Sequence, residues 1–334
     1  MQQIQHIREN KEYLLLRSRI LSVMRDFFNQ RRYIEADVPV ALAFPGQEPY
    51  LNPMPLVIHD EKGESHRMYL HTSPEYTLKK MLAAGFERVF SITKCFRDYE
   101  SFGGNHNPEF TMLEWYSVKT DMFGLMDEMD ALFGYLKEKL GNELKGSLSI
   151  AKRIRMRDLW FEIIGVDLDD YLESGSLFDL CRDFGFNPSQ EESYEDLFYR
   201  IFLNKIEPLL KNMGTVFVHH YPVQMAALSK ISMNDPRYAE RVEVYLEGTE
   251  LANGFSELTD SKEQLRRLEA EKERRKEMNK ETYDIDREFV EAVGLMPESA
   301  GIALGVDRLV QYCAACKDID NVLVLPMSKL TSGL

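Results

Sequence analysis

Apolar residues recur at helical spacing over 11–33, at Leu15, Leu16, Ile20, Val23, Met24, Phe27 and Phe28, before the pattern changes to a β-type run ending at Val38, Pro39 and Val40. The chain thus opens with a helix that leads into a strand. Pro45, Gly46, Pro49, Pro53 and Pro55 mark a loop, and 68–71 reads as a short strand. Thr72, Ser73, Pro74 and Glu75 then start a helix: Ser73 can cap it, Pro74 suits its first turn, and Glu75 lies near the positive end of its dipole. Residues 120–214 turn helical, with breaks near 141–149 and 165–176, and read as an insertion between two sheet-forming halves. Strand patterns resume at 215–220 and 242–258. The charge-dense stretch 261–281 reads as a solvated helix held by i,i+4 ion pairs. A small-residue strand at 301–305, a helix at 306–316 and a last strand at 322–325 close the chain. The strands arrive as hairpins and not as regular βαβ units. That predicts an α+β fold, one domain over 1–334 built on a large, mainly antiparallel sheet flanked by helices.

The most informative segment is 95–116, two β-rich runs joined by a polar loop around Gly103 and Gly104. Arg97 closes the first run and the loop carries His106. On the return strand Phe110, Met112, Glu114 and Tyr116 share one face, while Thr111, Leu113 and Trp115 share the other. The first face offers a flat ring for stacking, with a carboxylate and a phenol in line beyond it. That set suits a nucleotide beside a cationic small molecule; an amphipathic hairpin with a wet polar face shows the same alternation.

A second hairpin is signalled by Gly248 and Thr249, between Glu243 and Glu257. A two-residue loop pairs Glu247 with Glu250, and a four-residue loop pairs Tyr245 with Glu250. Either register puts Glu243 and Glu250 on one face, in the second case as diagonal neighbours roughly 7–8 Å apart at Cβ. Such carboxylates repel unless a cation joins them, which suits Mg²⁺ or a positively charged ligand. An acidic sheet edge that discourages aggregation has the same composition. Strict alternation turns Glu257 to the far face, and a bulge near Gly254 restores it. Farther on, Gly305 leads into a helix with Arg308 in its first turn, a usual place to hold phosphate.

With 41 Lys and Arg against 55 Asp and Glu, the net charge is −14, which disfavours backbone-driven binding to nucleic acid. The first residues lack an apolar signal core and no apolar run approaches membrane-spanning length, so no membrane partner is expected and a cytoplasmic location is the default. Cys95, Cys181, Cys313 and Cys316 are too few and scattered for a disulfide framework. Cys313 and Cys316 form a C-x-x-C pair inside a helical pattern, without a second pair nearby, and read as small buried residues in preference to a metal site.

Taken together these segments resemble the class II aminoacyl-tRNA synthetases, and in detail the lysyl-tRNA synthetase group. Residues 17–21 through Pro39 resemble motif 1, the dimer-forming helix and strand; Phe96 and Arg97 through Tyr116 resemble motif 2; Gly305 to Arg308 resemble motif 3. Residues 72–75 and 250–257 match as well, so the resemblance spans nearly the whole chain. A lysyl-tRNA synthetase carries an N-terminal OB-fold domain that reads the anticodon, whereas here motif 1 begins almost at the N-terminus. The chain is more similar to the elongation factor P (R)-β-lysine ligases, free-standing catalytic cores without that domain.

The resemblance implies the class II catalytic fold, ATP and Mg²⁺ as cofactors, and a homodimer. It implies activation of (R)-β-lysine, or lysine, as an aminoacyl-adenylate that passes to a lysine side chain of translation elongation factor P. Without an anticodon module tRNA is not the expected acceptor. Two other readings are the same chemistry with another acceptor, tRNA or protein, and a non-catalytic regulatory subunit. The presence of Arg97, Arg308, Glu243 and Glu250 argues against the second.

By position the resemblance puts Arg97 on the α-phosphate, Phe110 on the adenine ring and Arg308 on the γ-phosphate side, with both arginines catalytic. It puts His106 and Asn107 along the phosphates and ribose, adds Leu251 and Gly305 to the ATP site, and gives Mg²⁺ to Glu243 and Glu250. Ser73, Pro74, Glu75, Glu114, Tyr116, Asn253, Phe255, Glu257 and Ala303 line the amino-acid pocket, whose acidity fits a dibasic amino acid. At Ala303 the tRNA synthetases resemble Gly, and one added methyl shifts preference between isomers by about 1–3 kcal/mol. Tyr99 stands where the lysyl group has its adenine-reading glutamate, the nearest carboxylate is Glu100, and the loop from Glu100 to His106 is one residue longer. Adenine recognition then falls to backbone groups of Tyr99 or Asp98, or to Glu100.

Overall fold

The computed structural model describes residues 2–226 and 228–332. Its strands are β1 (Ile34–Glu35), β2 (Ala41–Leu42), β3 (Met54–His59), β4 (Ser65–Leu70), β5 (Arg88–Phe96), β6 (Glu109–Val118), β7 (Lys152–Arg155), β8 (Thr215–Pro222), β9 (Tyr238–Leu246), β10 (Thr249–Ser256) and β11 (Ser299–Gly305). Eight of them form one sheet in the order β1-β5-β6-β11-β10-β9-β8-β7, and β2, β4 and β3 form a small antiparallel sheet. The outermost ladders of the large sheet are parallel and every ladder between them is antiparallel. The mainly antiparallel α+β architecture is the one the hairpin pattern predicts.

One face of this sheet is core. The helices Lys11–Gln30 and Met122–Leu140 bury Ile20, Met24, Phe27, Phe28, Leu125, Met129 and Phe133 against Leu113, Trp115, Ile302 and Leu304. Burying each such side chain contributes about 1.5–3 kcal/mol, and a one-residue slip of β6 would exchange Trp115 for Glu114 in that layer. The apolar face therefore fixes the register of the polar face behind it.

The helical stretch 120–214 is more mixed than its composition suggests. The helix Met122–Leu140 belongs to the main core, and Lys152–Arg155 joins the sheet as β7, parallel to β8. The rest packs around Trp160, Phe198 and Phe202 as a second cluster. The segment 322–325 is not a strand: a single 3₁₀ turn, Ile319–Val322, is capped by Asp318, whose Oδ1 accepts from Asp320 N at 3.0 Å. The helix Ser261–Glu277 carries the expected pairs of Glu263 with Arg266 and Arg267, yet one stripe of it is buried. Arg275, 1 % exposed, donates to the carbonyls of Glu48, Leu51 and Glu281 and pins the loop before β3.

The β9–β10 hairpin adopts the register that pairs Tyr245 with Glu250. Leu246 also pairs with Thr249, because Glu247 (φ 46°) and Gly248 (φ 82°) both take the left-handed conformation of a tight hairpin turn. A bulge is present, but it falls between Glu250 and Ala252 and not near Gly254. Gly254 serves close packing instead, since a methyl there would lie 2.7 Å from the Ile302 side chain. Among the described residues no helix is long and apolar enough to cross a membrane. Cys313 is buried and Cys316 half-buried, and neither belongs to a metal-ligating group among these residues.

Candidate active site

The bulge at Leu251 changes the phase of β10, so that Glu250, Asn253 and Phe255 pair with Tyr245, Glu243 and Arg241 and share their face. Register then assembles two adjacent rows across the sheet. Ser91, Glu114, Ala303, Asn253 and Glu243 form one; Val89, Tyr116, Gly301, Phe255 and Arg241 form the other. Ala303 and Gly301 are the floor between two polar walls. The Leu251 side chain turns into the core, which leaves only its backbone toward this face.

At one end of the floor the carboxylates converge. Glu114, 1 % exposed, accepts from Tyr116 Oη at 2.6 Å and from Ser73 Oγ at 2.7 Å. Ser73 Oγ in turn accepts the Glu75 N–H at 3.1 Å, so the residue ahead of buried Pro74 ties the helix Glu75–Ala83 to β6. Burial, followed by the neighbouring Glu75, pushes Glu114 up to about 7. Glu257 is 2 % exposed and pushed up to about 8 by burial, against the pull of Lys79 and with Glu75 adding to the rise. Lys79, which sequence reasoning passed over, lies 2.5 Å from Glu75 Oε1 and 2.6 Å from Glu257 Oε2.

Two further carboxylates join this group from distant segments. Burial and Glu75 raise Glu48, in the loop before β3; burial and Glu48 push Glu271 of the helix Ser261–Glu277 up to about 8. The i,i+4 spacing of Glu75 and Lys79 was a usable signal. Glu48 and Glu271 offer none, because only tertiary packing brings them together.

The other end is cationic. The Arg97 guanidinium rests 4.9 Å over the Phe110 ring, and its Nε is buried without a hydrogen-bond partner. Arg308 donates to the Glu250 carbonyl at 2.7 Å and to the Asn105 carbonyl at 3.3 Å, with Nη2 3.5 Å from His106 Nε2. His106 Nδ1 lies 2.9 Å from Glu100, and this bond holds the Glu100 carboxyl below its ordinary value. A methyl added at Gly305, at the start of the Arg308 helix, would make ordinary contact with the Leu251 carbonyl at 3.6 Å and the Arg308 side chain at 3.7 Å.

Three of the expected residues have side chains turned outward or already bonded within the protein. Tyr99 sits at φ 61° and is 89 % exposed, so its ring faces solvent. Asp98 is used in its own turn, accepting from Tyr99 N at 2.9 Å. Asn107 is buried with its amide spent elsewhere: Nδ2 donates to the Glu109 carbonyl and Oδ1 accepts from Met327 N at 2.9 Å. It anchors the C-terminal helix on the hairpin. Sequence reasoning also missed Asp307, which accepts from Thr111 N at 2.9 Å and pairs with Arg17 at 2.5 Å, tying the Arg308 helix to both β6 and the first long helix.

The arrangement accommodates both groups the resemblance implies. An arginine with an unpartnered buried Nε suits a phosphate, and an aromatic ring beside it suits a base. Glu250 has no side-chain partner among the described residues and is pushed up to about 7 by burial and by Glu243. Glu243 Oε2 accepts from Tyr221 and Tyr245, whereas Oε1 accepts from Arg241 alone and keeps an acceptor position open. Glu250 with Glu243 Oε1 therefore fits a divalent cation, with Arg241 sharing the latter.

A mainly antiparallel sheet with an arginine-led hairpin, paired carboxylates and an arginine-headed helix on one face is the layout of a class II synthetase core. The sequence model of the tRNA synthetases class II (D, K and N) matches residues 3–329. An elongation factor P–(R)-β-lysine ligase of Proteus mirabilis is 36 % identical over 316 residues, 94 % of each chain. The enzymes of the same name from Haemophilus influenzae (35 % over 312 residues, 93 % of each chain) and Actinobacillus succinogenes (36 % over 321 residues, 96 % of each) are similar throughout. The chain belongs to the class II synthetase family and, within it, to the elongation factor P–(R)-β-lysine ligases.

Proposed function

We propose that this protein activates (R)-β-lysine with ATP and transfers it to a lysine side chain of elongation factor P. The observation that carries the reading is the pair Glu114 and Glu257, buried beside half-buried Glu75 on the same sheet face as an arginine whose Nε has no partner among the described residues. Carboxylates that gain by ionising around a cation want a ligand with more than one ammonium group, and the arginine wants phosphate.

In this reading the amino-acid carboxylate attacks the α-phosphorus of ATP in line, and pyrophosphate leaves. Arg97 neutralises charge on the α-phosphate, Arg308 on the departing phosphates, and Phe110 stacks on the base. Glu250 and Glu243 would hold Mg²⁺, which neutralises phosphate charge when bound. Glu75, Glu114 and Glu257 fix the ammonium groups so that the carboxylate points down the floor over Ala303 toward Arg97. Positioning and charge compensation do the work, and no protein nucleophile takes part. The acceptor lysine's amine then attacks the adenylate carbonyl, AMP leaves, and an amide remains. A homodimer through the Lys11–Gln30 helix and β1 completes the reading, by the motif 1 resemblance.

Amino-acid-dependent exchange of pyrophosphate into ATP tests the first step. Exchange is expected with (R)-β-lysine, more weakly with lysine, and not with leucine. Exchange driven by neutral amino acids, or none with any dibasic one, contradicts the reading.

A further inference from the structure

Lys79 has no exposed surface, and burying an ammonium costs several kcal/mol unless charge partners and hydrogen bonds compensate. It has two partners. Glu75 lies one turn earlier on its own helix and Glu257 directly after β10, each meeting the ammonium through a single oxygen, Oε1 and Oε2 respectively. Neither buried oxygen of Glu257 has a hydrogen-bond partner among the described residues: Oε2 has only its charge contact with Lys79 and Oε1 has no contact of either kind, while Glu75 Oε2 likewise has no hydrogen bond. The bulge at Leu251 is what brings Glu257 to this face, so the clamp depends on the same irregularity that builds the pocket.

Building on the function proposed above, we infer that Lys79 is a positioning residue for the amino-acid pocket. It holds one oxygen of Glu75 and one of Glu257 and leaves the other two for the substrate's ammonium groups, so that the pocket takes a doubly charged amino acid and not a neutral one. The titratable groups around it bear on this. Glu75 faces it from its own helix, Glu257 from the end of β10, Glu114 with the Tyr116 hydroxyl from β6, Glu48 approaches Glu75 from the loop before β3, and Glu271 approaches Glu48 and Glu75 from the helix Ser261–Glu277. Lys79 opposes the upward push of burial on Glu257 and Glu114, so removing it would make both hold their protons more tightly.

The test compares Lys79→Met, with Lys79→Gln as a second variant, against the full-length wild-type protein. In pyrophosphate exchange the KM for (R)-β-lysine should rise about 10- to 100-fold, while the KM for ATP stays within about twofold. The acid limb of kcat/KM should move upward by about one pH unit. A folded variant with an unchanged amino-acid KM and acid limb overturns the inference, as does an equal rise in both KM values, which is a merely structural effect. Absence of exchange in the wild type would count against the proposed function alone, and the clamp is then read without substrate. The melting temperature of Lys79→Met should fall further below wild type as pH rises from 6 to 9, because its carboxylates ionise without their cation. A difference that stays constant with pH overturns the clamp.

Discussion

The ring of Tyr116 lies across the bare backbone of Gly301, in the space a methyl group on that glycine would occupy, and its hydroxyl donates to Glu114 at 2.6 Å. The glycine is thus part of the pocket although it carries no side chain. Gly301→Ala should push the ring off the strand, break the bond to Glu114 and raise the amino-acid KM about 10-fold or more, with little change for ATP. Overpacking should also cost about 1–3 kcal/mol of stability. Exchange kinetics and thermal melting of the variant check both parts.

Arg97 reaches the site with its planar fork resting on Phe110. Lysine keeps the charge and loses the fork, so Arg97→Lys should lower the exchange rate about 100- to 1000-fold while the protein melts as wild type does.

Burial raises the acids of the pocket, Glu114 to about 7 and Glu257 to about 8, well above the ordinary value near 4.3. A carboxyl raised in the folded state favours folding while protonated, and that contribution disappears as pH climbs through the raised value. Ligand-free protein should therefore lose stability as pH rises from about 4.5 to about 8 and change little from these groups above that. Acids held low, such as Glu263 at about 2 beside Arg266 and Arg267, act only below about pH 4.5 and leave this window alone. A dibasic amino acid should restore the lost stability at pH 8.5, and its binding near pH 7 should release protons. Calorimetry in two buffers of different ionisation enthalpy measures the release directly.

Tyr99 and Phe110 make a contrasting pair. Phe110→Ala should weaken ATP binding by about 1–3 kcal/mol through lost stacking. Tyr99→Ala, at an 89 % exposed position, should leave the ATP KM within about twofold.

Much of this was legible along the chain because period-2 alternation reports faces. Leu113 and Trp115 went to the core while Glu114 and Tyr116 went to the site, as their positions in β6 require. The need for a bulge followed from Glu257 standing seven residues past Glu250, but the glycine at 254 drew the expectation to the wrong place. It marks close packing on Ile302, and the extra residue is Leu251. The surroundings of Asn107 and Tyr99 were not legible: the Asn107 side chain bonds to Met327, more than two hundred residues on, and Tyr99 takes a left-handed backbone conformation. Lys152–Arg155 carries too few apolar residues to read as a strand and exists because β8 offers it a parallel edge. Glu48 and Glu271 come from loops and helices far apart in the chain, where no local periodicity links them.

The acceptor is tested most directly by the intact mass of unmodified elongation factor P after incubation with this protein, ATP, Mg²⁺ and (R)-β-lysine. The account predicts a single added β-lysyl group, absent without ATP and absent with Arg97→Lys. An unchanged elongation factor P mass, together with β-lysine or lysine esterified to tRNA in a parallel reaction, would contradict it.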